Sequence, residues 1–209
     1  IKAHGMSFML DFHYSDFWAD PGQQNKPLAW KDLSFEKLKE AVFTFTKETL
    51  SGLKAEGVLP DVVQIGNEIR SGLLFPDGEL PDYKQMVQLV NAGIKGARAV
   101  ADAGEMQVMI HLDQGGRYFY LKEWFEKSFE AGLDDFDLIG LSYYPFWHGT
   151  FSDLKETLTK LLADYHKPIM IVETAHAWRK SAQGFIDEKQ EKIAGVPATP
   201  EGQRKVLDL

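Results

Sequence analysis

Five apolar runs, separated by stretches of helical periodicity, constrain this chain more than any other feature. They cover residues 7–13, 62–67, 106–112, 138–143 and 169–173. Most are continuous rather than alternating, which is how parallel strands covered on both faces read. Between them, Phe35, Leu38, Val42, Phe45 and Leu53 keep one face of a helix begun by Ser34 and ended near Gly57. Tyr83, Met86, Val87, Val90, Ile94 and Ala97 mark a second, closed by Gly104, and residues 117–131 and 152–165 give a third and a fourth. Strands alternating with helices specify an α/β fold with a parallel sheet. No linker interrupts the pattern, so residues 1–209 form a single domain.

Two architectures satisfy that pattern: an open doubly wound sheet and part of a (β/α)8 barrel. A nucleotide-binding open sheet calls for a Gly-rich turn between a strand and its helix. No strand exit carries one; "DQGGR" after the third run is a poor match. The exits hold large polar and aromatic residues instead, in "DFHYSDFWADP", "GNEIRSG", "HLDQGGR", "SYYPFWHG" and "ETAHAW". Barrels assemble their active sites at this face, from several strand ends at once. The barrel is therefore the expected fold, with five strands visible and up to three absent. Lys2–His4 stopped by Gly5, and Thr199 followed by Pro200, read as the tail of one helix and the start of another, as in a piece cut from a longer chain.

Composition narrows the function. A net charge of −8 without a run of five like charges argues against nucleic acid as a partner. Zero cysteines exclude disulfides and thiolate metal sites. No 18-residue apolar run is present, so no segment reads as a membrane helix.

Glu68 and Glu173 each end an apolar run, the second and the fifth. In a closing barrel such strands face one another, and two converging carboxylates are the minimum equipment for glycoside hydrolysis. One donates a proton to the leaving oxygen; the other attacks the anomeric carbon or activates water. The plainer alternative makes each a helix cap or the partner of a cation such as Arg70.

"DFHYSDFWADPGQQ", "VQIGNE", "IGLSYYPFWHG" and "IVETAHAW", in this order and spacing, resemble glycoside hydrolase family 53, the endo-β-1,4-galactanases. The resemblance spans nearly the whole chain. It implies a truncated (β/α)8 TIM barrel running from about strand 3 to helix 7. It also implies a retaining endo-glycosidase acting on β-1,4-galactan of type I arabinogalactan, with Glu68 as acid/base and Glu173 as nucleophile. A retaining reaction calls for carboxyl groups about 5 Å apart. An extracellular or cell-surface location is expected from the family. No cofactor is required; Asp187, Glu188 and Glu191 offer oxygens for the structural calcium of some relatives.

The same resemblance assigns Asn67, before the acid, to the sugar 2-hydroxyl, against a turn-satisfying amide as the plain reading. Tyr143, or else Tyr144, is expected to donate a hydrogen bond that holds the nucleophile ionised. Asp11 and His13 share one strand face and read as a pair supporting the site or touching sugar. A metal site joining them to His111 lacks a recognised ligand spacing; His111 is kept as a substrate-binding candidate. Trp18, Trp30, Trp147 and Trp178 lie on loops or strand exits, where they stack on sugar rings or anchor loops; Trp18, Trp147 and Trp178 are the sugar-binding candidates. Trp124 belongs to a helix and to the core. Rival readings keep the chemistry and change the sugar (mannanase, xylanase or cellulase), or keep the sugar and remove turnover, leaving a carbohydrate-binding protein. An open piece of barrel also has sheet edges that self-association would cover.

Overall fold

A computed structural model describes residues 1–181 and 186–208. Strands β1 (Met9–Phe12), β2 (Val62–Ile65), β3 (Gly72–Leu73), β4 (Gly78–Glu79), β5 (Gln107–Leu112), β6 (Leu138–Tyr143) and β7 (Ile169–Thr174) alternate with helices. The helices are α1 (Phe35–Ala55), α2 (Tyr83–Arg98), α3 (Tyr118–Glu130), α4 (Pro145–His148), α5 (Phe151–Tyr165), α6 (Glu188–Ala194) and α7 (Pro200–Leu207). The chain divides into two compact units, Ile1–Leu112 with Trp124–Ile139 and Asp113–Glu123 with Gly140–Leu209.

In the first unit β1, β2, β5 and the start of β6 lie side by side in that order, with β1–β2 and β2–β5 parallel. In the second, the rest of β6 neighbours β7. β2 and β6 are buried at every residue and β5 at all but Gln107, whereas β1 and β7 are partly exposed along their lengths. The inner strands are thus the ones buried on both faces, as strands covered by helices on either side are.

Helix α1 buries Leu38, Val42, Thr46 and Leu50, one residue per turn. Ser34 is its N-cap in extended conformation, and Asp82 caps α2 by accepting the Gln85 N–H. Gly96 lets α1 and α2 touch: a Cβ there would stand 2.6 Å from the Phe43 carbonyl oxygen. Trp124, Phe125, Phe129 and Phe136 pack ring against ring, with Phe125 and Phe136 centroids 6.2 Å apart. In the second unit a reciprocal cap between Thr150 and Asp153 starts α5.

The expected strands are all present: β6 keeps its expected bounds, β7 runs one residue further to Thr174, and β1, β2 and β5 are shorter. β1 covers residues 9–12 of the expected 7–13. β2 stops at Ile65 because Gly66 takes φ 80° and Glu68 φ 48°, outside the extended region. Helix α2 ends at Arg98 rather than at Gly104; residues 99–105 turn back into β5. The β3–β4 ribbon, α4 and α6 lay outside the periodicity argument because each is too short to display a period. No helix among the described residues is long and apolar enough to cross a membrane.

Gly96→Val should lower unfolding stability by about 2 kcal/mol through overpacking of α1 on α2. Urea denaturation followed by circular dichroism measures it, and an unchanged midpoint would contradict the close contact.

Candidate active site

In the first unit the apolar strand β2 ends in a tight reversal. Gly66 is required there: a Cβ would lie 2.5 Å from Ile69 Cγ2, and its φ of 80° suits glycine. The turn delivers Asn67, buried, and Glu68, half-buried and in the left-handed region at φ 48°. A glutamate held there signals local strain that its surroundings must support.

The support is a network of hydrogen bonds. Asn67 Nδ2 donates to the Ala19 carbonyl at 2.8 Å, while Gln64 Nε2 donates to Asn67 Oδ1 at 3.1 Å. His111 Nδ1 lies 2.9 Å from the same Oδ1. The Ala19 carbonyl can only accept, so the amide edge facing it must be NH2. His111 Nδ1 must therefore carry the proton and donate it to Oδ1. The Glu68 N–H, 3.4 Å from that nitrogen, is the looser contact and cannot share it. His111 is wholly buried, and burial, followed by the charge of His13, pushes its pKa down to about 3. Its imidazole is neutral in the Nδ1–H form.

Ala19 links this cluster to β1. Its N–H donates to His13 Nδ1 at 2.7 Å, which leaves His13 Nε2 to donate to Asp11 Oδ2 at 2.9 Å. Asp11 and His13 thus form the pair that their shared strand face suggested. Gln24 clamps the turn from below, donating to the carbonyls of Asn67 at 2.7 Å and Asp20 at 3.0 Å.

In the second unit, the Tyr144 hydroxyl donates to Glu173 Oε2 at 2.8 Å. Glu173 itself is half-buried on β7. Tyr143, the first candidate for that contact, turns the other way. Its hydroxyl donates to the Gly149 carbonyl at 2.9 Å, and burial raises its pKa. The reason is the strand pleat, which sends successive side chains to opposite sides.

The tryptophans separate by exposure. Trp18 and Trp178 are 63% and 53% exposed, and Trp147 is 38% exposed beside Tyr144. The Arg179 guanidinium sits over the Trp178 ring at 4.6 Å. Trp30 is half-buried against Phe45 and Tyr14 and so anchors its loop, and Trp124 is core as expected. The calcium candidates already have partners. Asp187 caps α6, Glu191 accepts the Ala198 N–H and pairs with Lys180, and Glu188 lies 3.9 Å from Lys180.

The sequence pattern of glycosyl hydrolase family 53 matches residues 1–209. This chain belongs to that family. A probable arabinogalactan endo-β-1,4-galactanase A of Aspergillus terreus is 37% identical over 99% of this chain. An uncharacterised protein of Niallia circulans is 41% identical, also over 99%. The chain spans about 60% of the length of these relatives, 60% and 59% respectively. Among solved structures, the family 53 catalytic domain of Ignisphaera aggregans matches with TM-score 0.86 and 37% identity, over 98% of this chain and 57% of that one. A structure of fungal β-1,4-galactanases matches with TM-score 0.87 and 30% identity, over 98% and 62%. The fold is accordingly that of part of a family 53 (β/α)8 domain, as the strand and helix pattern anticipated.

Two residues of the site escaped the sequence reading. Gln64 and Gln24 are almost wholly buried and hold Asn67 from two sides. The signal existed for Gln64, an amide in the middle of the run "VVQI".

His111 should stay neutral from pH 8 to pH 5. Below about 6.5 the unfolded chain takes a proton on this residue that the native chain refuses. Stability therefore falls as pH drops from that point towards 3. Nitrogen-15 shifts of the imidazole measure this directly; a ring titrating near 6.5 would contradict the buried Nδ1–H assignment.

Proposed function

We propose that the chain is the catalytic portion of a retaining endo-β-1,4-galactanase, with Glu68 as acid/base and Glu173 as nucleophile. The observation that carries the reading is the Tyr144–Glu173 hydrogen bond at 2.8 Å, in a chain of family 53. A phenol that donates to one carboxylate oxygen fixes the side chain's rotamer and leaves the other oxygen to attack. Oε1 would form the bond to the anomeric carbon.

The steps follow from the two carboxyls. Glu68 gives its proton to the glycosidic oxygen as Glu173 attacks, producing a glycosyl-enzyme and a shortened galactan. Water then attacks from the side the leaving group left, opposite the bond to Glu173; Glu68 removes its proton and Glu173 leaves, so the anomeric configuration is retained. Asn67 would meet the 2-hydroxyl of the sugar under attack, a contact that strengthens as the oxocarbenium ion develops. The exposed rings of Trp18, Trp147 and Trp178 suit the flat C–H faces of a neutral polysaccharide. Galactan is preferred over mannan or xylan because the Aspergillus terreus relative and the fungal structure carry galactanase names. A polymeric substrate places the protein outside the cell.

The test is product release from galactan, arabinogalactan, mannan and xylan. Galacto-oligosaccharides from the galactan-containing polymers alone are expected. Glu173→Gln should reduce the rate by at least about 10⁴-fold, and Tyr144→Phe by about 10- to 100-fold in kcat with a smaller change in KM. Cleavage of mannan or xylan would overturn the choice of sugar, and full activity of Glu173→Gln would overturn the mechanism.

A further inference from the structure

Asn67 has four hydrogen-bonding positions, and three are used inside the protein. Oδ1 accepts from Gln64 and His111, and one Nδ2 hydrogen goes to Ala19. The second Nδ2 hydrogen has no acceptor among the described residues. An asparagine amide is otherwise nearly symmetric and flips at little cost. Here a flip would turn NH2 towards two donors and the oxygen towards a carbonyl, losing three bonds at once.

We propose that Gln64 is a positioning residue that locks the Asn67 amide so that it presents a single N–H donor, and no acceptor, to the sugar. The inference rests on the glycosidase reading and deepens it. Gln64 is suited to the task because its side chain leaves β2 three residues before Asn67 and is almost wholly buried. Its donor therefore cannot be replaced by water without opening the strand. Neutral His111 supplies the second bond to Oδ1 but arrives from β5, so the bond from Gln64 is the one built into the same strand and turn as Glu68. The consequence for substrate is directional. The hydroxyl facing Asn67 accepts a hydrogen bond and keeps its own proton for another partner.

The test compares an aryl β-1,4-galactobioside with its analogue lacking the 2-hydroxyl on the ring that is cleaved, using the full chain. Gln64→Met keeps the volume and removes the donor. It should lower kcat on the parent substrate by about tenfold with little change in KM, and leave the rate on the 2-deoxy analogue unchanged. Equal loss on both substrates, or no loss on either, would overturn the proposal.

Gln64→Glu provides an independent reading should the first variant unfold. An ionised carboxylate opposite Asn67 Oδ1 repels it, whereas a protonated one donates to it. Activity relative to the unaltered chain should therefore recover as pH falls, and a ratio that is flat with pH would count against Gln64. No cleavage of the parent substrate or of galactan by the unaltered chain would remove the glycosidase reading, and this inference with it.

Discussion

The buried amide of Asn67 is the constraint on which the first unit's chemistry depends. A polar group placed where an apolar strand ends must be satisfied inside the protein, at a cost of about 1–3 kcal/mol if it is not. Satisfying it draws in the loop after β1 through Ala19, β2 through Gln64 and β5 through His111. Asp11 and His13 extend the same chain of bonds through the Ala19 N–H. The residue that follows, Glu68, takes a left-handed conformation that a free turn would avoid. Its backbone is thus set by neighbours on two strands and the loop after β1 rather than by its own preference.

The second unit solves a comparable problem with one bond. Glu173 sits on β7, the less buried of its two strands, where a carboxylate can remain in contact with water. Tyr144, one residue past β6, reaches it with a hydroxyl. Tyr143, one residue earlier, instead closes the turn at Gly149. A register slip of one residue would exchange these two roles, so the pleat of β6 is as much a part of the site as the phenol.

Much of this was legible in the sequence because strand burial and strand-end chemistry both leave local marks. Five apolar runs gave five strands, and the polar residues at their exits gave Glu68, Glu173, Asn67 and the Asp11–His13 pair as candidates. What stayed hidden depended on direction rather than composition. "SYY" contains both tyrosines but does not say which faces β7, since that depends on the last paired residue of β6. His111 read as a sugar contact, yet it is wholly buried with its Nδ1 bonded to Asn67. A histidine at a strand end does not disclose whether water reaches it. Gln64 stood in plain view inside "VVQI", but its role appears only once Asn67 is known to turn back over the strand.

The central claim is that Glu173 forms a covalent bond to the sugar. An activated 2-deoxy-2-fluoro-β-galactoside slows release of the glycosyl-enzyme, so the labelled peptide can be mapped by mass spectrometry in the full chain. The account predicts one added fluorogalactosyl group, carried by Glu173 and released with retained configuration. A label on Glu68, or turnover of galactan with inverted products and no label, would contradict it.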